Sequence, residues 1–346
     1  MEDHTHEEVS ARFEELAALE HEFEDAEEEI IRKAEAIQTP LFKKRAELVE
    51  KIPHFWALVF EQAPPEIDNF IQPTDSKLIA ECLSTVEVSR FELDDPNGSP
   101  RSFLLRLGFT ENEYFEDKVL EKKFWFRKTR DWQGLVSEPV KINWKKGKDL
   151  TDGLTDAAYK LGQLRAKLAA DTTNGAARNE EVKSAEYKKL AQMIETATDA
   201  SISFFGLFSF VSGYRWVSAQ ESAQAVKEER ERFEKVRRGE KIDDDEDEED
   251  EDPFDYQEIE VFPGGDEVAT IIAEDIWPNA IRYYKATFEE EEDDEELSDL
   301  DVMDDSDDDD DDDDDDDNDE PVDIRALVGK GRKSAQEPPA KKQRKA

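Results

Sequence analysis

The sequence predicts an α+β fold: a long N-terminal helix, a four-stranded antiparallel sheet with packed helices, and a disordered acidic C-terminal tail. Three observations predict it. Apolar residues recur every three or four positions through the first fifty residues, strict alternation replaces that period between about 83 and 144, and helical spacing then returns.

The first element spans Val9 to Ile52. Its apolar positions are 9, 13, 16, 19, 23, 26, 30, 34, 37, 41, 48 and 52, with charged residues between them. A rod of that length reaches about 70 Å, more than a small domain can cover with its own core. The stripe therefore calls for a partner. A second copy packed parallel or antiparallel would serve, as would an intrachain bundle with the helices expected near 155–170 and 180–200. Pro40 removes one helical hydrogen bond and is expected to kink or interrupt the rod near Gln38.

Next, HFWALVFEQAPPEIDNFI reads as a short buried helix ended by Pro64 and Pro65. Residues 83–93, the turn DDPNGSP and residues 101–109 form a hairpin, with Phe103, Leu105, Leu107 and Phe109 on one face. A second pair is expected from a strand near 118–128, with Leu120, Phe124 and Phe126 on one face, and a strand carrying Val140, Ile142 and Trp144. From Asp149 the chain turns helical, breaks at the polar stretch TTNGAARN and resumes over about 180–200. The aromatic stretch SISFFGLFSF has the density of core. A charged helix near 219–237 and a last amphipathic segment, DEVATIIAEDIWPNAIRYY, complete the folded part.

Charge sets the function class. The chain carries 91 acidic against 46 basic side chains, a formal net charge of −45. Residues 243–252 are acidic at all 10 positions, and residues 289–320 hold 25 acidic residues in 32, including the run Asp307 to Asp317. Such tracts cannot offset chain entropy with apolar burial and are expected to be extended polyanions. The rest of the body, 1–242 and 253–288, is itself acidic, with 54 acidic against 38 basic residues, whereas 321–346 carries 8 basic and 2 acidic. A polyanion of this density repels DNA and anionic membrane and attracts polycations, of which histones are the abundant nuclear example. The tracts could instead serve solubility or weak divalent-cation buffering.

Other classes find little support. Cys82 is the single cysteine, which excludes an intrachain disulfide and a cysteine-rich zinc cluster and fits a reducing compartment. Histidines occur at 4, 6, 21 and 54, without metal-ligand spacing beyond His4 and His6 near the terminus, and neither a Gly-rich phosphate loop nor a nucleophile elbow is present. No enzymatic activity, cofactor or metal is expected. The opening MEDHTHEE lacks the features of a signal peptide, and the run around Phe204 to Val211 is too short to span a bilayer, so a soluble protein with no membrane partner is expected.

Five segments, TPLFKKRAELVEKIPHFW (39–56), NEYFEDKVLEKKF (112–124), INWKKGKDLT (142–151), SFFGLF (203–208) and EDIWPNAIRYY (274–284), together resemble the nucleosome assembly protein family in its SET-type branch. The resemblance extends over about residues 5–288, and an acidic tail is also a habit of that family. It implies a dimerisation helix (1–52) joined to an α/β "earmuff" domain (53–288), two copies forming a headphone shape whose underside binds core histones. The partners so implied are histones, as tetramer- or dimer-forming pairs, and a second copy of the chain. In this scheme Phe13, Leu16, Phe23, Ile30, Ile37 and Leu41 line the dimer seam, and Phe55 and Trp56 anchor the helix to the earmuff core. Glu274 and Asp275, beside the IWPN motif, and the tail aspartates Asp307, Asp308, Asp309, Asp310, Asp311 and Asp312 are the candidate histone contacts. SET-type proteins also resemble phosphatase inhibitors and partners of histone-modifying enzymes, which gives an alternative regulatory reading. The charged helix with its acidic run, about 219–262, looks like an insertion relative to compact SET-type members.

The segment GKGRKSAQEPPAKKQRKA places Lys330, Arg332 and Lys333 about ten residues before Lys341, Lys342, Arg344 and Lys345, the pattern of a bipartite nuclear import signal. Nuclear residence is expected, with shuttling to the cytoplasm as a further option. Ser298 and Ser306 sit in acidic surroundings suited to an acid-directed kinase.

Overall fold

The computed structural model describes residues 6–130, 132–171, 174–197, 203–212, 217–238 and 259–289. The acidic run 243–252, the acidic tail from 290, the basic C-terminus, and with them Asp307–Asp312, the import cluster, Ser298 and Ser306, lie outside the described residues.

Helix α1 (His6–Val49) is a single 44-residue rod. It runs through Pro40 without interruption, because the one hydrogen bond that proline removes is a small fraction of so long a ladder. Ion pairs one turn apart, Glu28 with Arg32 and Glu29 with Lys33, both at 3.2 Å, add modest support. The chain turns at His54, whose backbone is left-handed (φ 55°) and whose Nδ1–H donates to the Ala80 carbonyl oxygen at 3.0 Å. Helix α2 (Phe55–Glu61) then buries Phe55 to Phe60 without a break, and α3 (Pro65–Asp68) and α4 (Pro73–Cys82) follow, each with proline in its first turn.

The sheet has the order β1 (Leu83–Ser89), β2 (Phe103–Phe109), β3 (Val119–Lys128), β4 (Gln133–Ser137), with every pair antiparallel. Phe103, Leu105, Leu107 and Phe109 face the core as the alternation predicts. The fourth strand, however, is not the expected 140–144 segment. Pro139 cannot donate to a ladder, and β3 instead folds back through a tight turn in which the Thr129 N–H donates to the Trp132 carbonyl oxygen at 2.7 Å. Gly134 permits this, because a Cβ there would lie 2.6 Å from the Trp132 ring. The alternation at 140–144 serves packing and a single antiparallel bridge, Trp144 with Phe115, rather than a strand of the sheet. Ile142 is buried, the Val140 N–H donates to the Phe208 carbonyl oxygen, and Trp144 packs edge-on to Phe115 and Phe205.

Helices α5 (Leu154–Asp171), α6 (Asn174–Lys183) and α7 (Ala185–Thr196) come next, so most of the expected TTNGAARN break is helical. Its alanines and the following glutamates outweigh the single Gly175. α5 and α7 pack on each other with Phe210, Ile259 and Val261 in a cluster of their own, rather than bundling with α1. The main core lies between the inner sheet face, α2, α4, the 3₁₀ turn Phe204–Phe208 and the C-terminal segment. Asp75 at the start of α4 is fully buried, and burial raises its pKa even though the Ser203 hydroxyl and the Phe204 and Gln72 N–H groups donate to it. Helix α8 (Ala219–Arg237), α9 (Gly265–Ile271), a π-turn (Ile272–Ile276) and a terminal helix, α10 (280–289), complete the described chain. No helix of the described residues is long and apolar enough to cross a membrane.

Candidate functional site

Large apolar side chains belong inside a fold, so a row of them left in water marks a surface meant to be covered. On α1 Phe13, Leu16, Leu19, Phe23, Ile30, Ile37, Leu41 and Leu48 are all exposed, from 46% for Leu19 to 69% for Ile37. Leu16, Phe23, Ile30 and Ile37 recur at seven-residue intervals, two helical turns, and so lie on one face; Leu41 and Leu48 continue it. From Phe13 to Leu48 the stripe is about 52 Å long. All six of the residues assigned to the seam by sequence are on it; Leu19 and Leu48 extend it.

The stripe is nearly symmetric about Ile30. Phe23 and Ile37 lie seven residues either side, Leu19 and Leu41 eleven, and Phe13 and Leu48 seventeen and eighteen. Charge is the reverse of symmetric. Residues 6–29 hold eleven acidic side chains and one basic, whereas 31–51 hold three acidic and six basic.

Positions of α1 beside and behind the stripe are occupied from within the chain. α8 packs beside it, with Arg230 on Asp25 at 2.8 Å, Arg237 on Glu22, and the rings of His21 and Phe233 5.5 Å apart. Arg101, from the loop between β1 and β2, reaches Glu27 at 2.9 Å. That loop is itself fixed by a buried pair in which Arg127 donates twice to Glu92, 2.8 Å each, with the Ser102 hydroxyl donating at 2.6 Å. Burial alone would raise the Glu92 pKa, but the bonds from Arg127 and Ser102 outweigh it and hold it below the ordinary value.

The C-terminal end of α1 is joined to the α+β head by Arg45. This guanidinium is buried and sits over three rings, 4.9 Å from Phe42, 4.9 Å from Trp277 and 5.6 Å from Trp56. It donates to the Trp277 carbonyl oxygen and, at 3.3 Å, to that of Pro278. Desolvation lowers its pKa to about 10. The Trp277 indole N–H in turn donates to the Val86 carbonyl oxygen at 3.2 Å, so one tryptophan ties α1 to β1. Phe55 and Trp56 are buried at the same joint, as expected, with Phe55 stacked on Tyr284.

The carbonyls that Arg45 meets are available because the helix changes pitch there. Pro278 has no N–H to continue the α-helical ladder, and the Trp277 N–H donates to Ile272 five residues back. This π-turn presents Glu274 and Asp275 at the surface, with side chains 48% and 42% exposed. Each already has partners. Arg90 pairs with Glu274 at 3.1 Å, while Asp275 accepts from Asn279, Arg282 and Tyr283. Among the described residues, no group of three or more His, Cys, Asp or Glu side chains is arranged to hold a metal ion.

The described chain is thus a head of one antiparallel sheet and packed helices carried on a long rod with an exposed apolar stripe. The chain belongs to the nucleosome assembly protein family, whose profile matches residues 6–287. A nucleosome assembly protein of Schizosaccharomyces pombe is 38% identical over 154 residues, covering 41% of this chain and 61% of its own length. Protein SET of Drosophila melanogaster is 33% identical over 165 residues, covering 44% and 58%. The matched region thus spans about three fifths of the length of these relatives. Among solved structures, Ccp1 aligns with 81% of this chain and 97% of its own at 25% identity and a TM-score of 0.48, and Vps75 with 80% and 98% at 21% identity and a TM-score of 0.46.

Proposed function

We propose that this protein is a nuclear, homodimeric histone chaperone. Two copies pair through α1 and hold core histones on acidic surface, which promotes nucleosome assembly and keeps histones from aggregating with DNA. The observation that carries the reading is the combination of family membership with a net charge of −45 whose densest part is the unbroken Asp307 to Asp317 run. Histones are the polycations for which nucleosome assembly proteins are named, and a shaped acidic body with polyanionic tails can bind them multivalently without covalent chemistry.

The apolar stripe supports the dimer. Eight large side chains, each more than two fifths exposed, offer on the order of 800 Å² per protomer, the size of a standard protein interface. The symmetry about Ile30 favours an antiparallel pair, which places Phe23 against the partner copy's equivalent of Ile37 and the acidic half of each helix beside the basic half of the other. A parallel pair would set like charges together. Glu274 and Asp275 remain reachable, but Arg90 and Arg282 offset part of their charge, so the tail aspartates Asp307–Asp312 carry the larger share of histone attraction.

Sedimentation equilibrium of the chain and of Ile30→Asp/Ile37→Asp, each alone and with purified histones, tests the reading. The parent is expected at twice the 39.8 kDa chain mass and the variant as a folded monomer with weaker histone binding. A parent that stays monomeric at micromolar concentration, or a variant that remains dimeric, would remove α1 as the seam.

A further inference from the structure

α8 meets the most acidic part of α1, and it does so with arginines. The two halves of α8 are held very differently. The N-terminal half is anchored, with Ser218 and Glu221 forming a capping box and buried Ser222 accepting the Lys128 N–H at 2.9 Å, and at mid-helix Lys128 reaches Glu229 at 2.7 Å. The C-terminal half lies over α1 through Arg230 on Asp25 and Arg237 on Glu22, and all four of these side chains are more than half exposed. The ring of Phe233 lies against His21, to which the Arg230 Nε–H also donates at 3.3 Å, and Val236 is half-buried. Exposed ion pairs of this kind contribute little and are screened by salt.

Arg230 and Arg237 are two turns apart on one face of α8, and they meet carboxylates one turn apart on α1 in reversed order, so the helices run antiparallel across each other. The arrangement is that of a basic helix laid on an acidic one. The acidic run 243–252 begins five residues after Arg238, so whatever moves the end of α8 also moves the attachment point of that run.

We propose that residues 230–237 of α8 are a displaceable cationic strap: they occupy in cis the Glu22 and Asp25 carboxylates that an arginine-bearing segment of a bound basic protein takes over, while α8 pivots on its Ser222 anchor. The strap lowers the apparent affinity of the acidic face for basic ligands, because each must first displace it. Histones as the natural displacing ligand rest on the function proposed above; the strap itself rests on the contacts of α8.

Hydrogen exchange of the full chain, with an oligoarginine peptide and separately with purified histones, tests the strap. Saturating oligoarginine is expected to speed exchange in 230–237 several-fold and to leave 219–224 unchanged. Arg230→Gln/Arg237→Gln is expected to show fast exchange in 230–237 without ligand and to bind oligoarginine about threefold to tenfold more tightly, the worth of two freed exposed carboxylates. Unchanged protection of 230–237 at saturating oligoarginine, or a variant that binds no more tightly, overturns the strap. The two readings can fail separately. Histones that bind while 230–237 stays protected sink the strap alone, whereas oligoarginine that frees the strap in a protein without histone affinity sinks the chaperone reading alone.

Discussion

Replacing Arg45 tests whether a buried cation, rather than apolar packing alone, fixes α1 to the head. Desolvation lowers its pKa to about 10, a shift that corresponds to about 3 kcal/mol borne by the charged form. Against that stand three aromatic faces, worth about 0.5–2 kcal/mol each, and two carbonyl acceptors. Arg45→Ala removes the favourable contacts, strands the Trp277 carbonyl oxygen and opens a cavity among Phe42, Trp56 and Trp277; a loss of about 3–5 kcal/mol follows. Arg45→Met fills the cavity and sheds the desolvation cost but cannot donate, so a loss of about 1–2 kcal/mol is expected. Urea unfolding followed by tryptophan fluorescence, at one fixed protomer concentration because pairing contributes to stability, gives both values. Equal losses for Ala and Met would mean that the side-chain volume of Arg45 contributes nothing, and a loss below about 0.5 kcal/mol for both would refute the joint.

Other consequences follow from the buried charges and the basic end. Lys122 is fully buried on the core face of β3, donates to the Ser209 carbonyl oxygen, and has its pKa driven well below the ordinary value by desolvation. The native state therefore binds this proton less readily than the unfolded chain, so its contribution improves as pH rises toward the unfolded value. The stability of Lys122→Met relative to the parent should accordingly fall between pH 6 and 9.5 in thermal melts, and a difference independent of pH would contradict this. Glu92 has a lowered native pKa, so its contribution is present above its unfolded value and lost as pH falls through the native one. Glu92→Gln should cost about 3 kcal/mol at pH 7, because Arg127 is left buried without its carboxylate, and the cost should shrink in acid; chemical denaturation at pH 7 and 3.5 checks both. Deleting 330–346 should abolish nuclear accumulation of a fluorescent fusion, and unchanged accumulation would remove the import role of Lys330, Arg332, Lys333, Lys341, Lys342, Arg344 and Lys345.

Periodicity read well where one face of an element is apolar and the other wet. The α1 stripe and the inner faces of β2 and β3 follow from spacing, because in each case a single partition between water and core sets the pattern, whereas α2 was legible from its unbroken apolar run. It read poorly where other demands intervene. Val140, Ile142 and Trp144 alternate like a strand because extended coil has the same period, and only Pro139 and the close approach of Gly134 to Trp132 decide which segment pairs with β3. Lys122 interrupts an otherwise apolar face, which alternation cannot foresee. Arg45 stands in a run of bases, KKR, and nothing local distinguishes the one that enters an aromatic cage from its solvated neighbours. Helix α8 could be read as charged and helical, but its arginines pair with carboxylates about 200 residues away, a separation that composition does not encode. The candidate histone carboxylates Glu274 and Asp275 were legible as surface positions, whereas their ties to Arg90 and Tyr283 were not.

The most direct test of the central claim is the binding of the purified full chain to the histone tetramer and the histone dimer across a salt series, with an equally basic non-histone protein as control. At about 0.15 M salt, where the Debye length is about 8 Å, binding to at least one histone assembly should persist and exceed the control. Histone binding equal to the control and lost by that salt would contradict the account, leaving a generic polyanion on a dimeric scaffold.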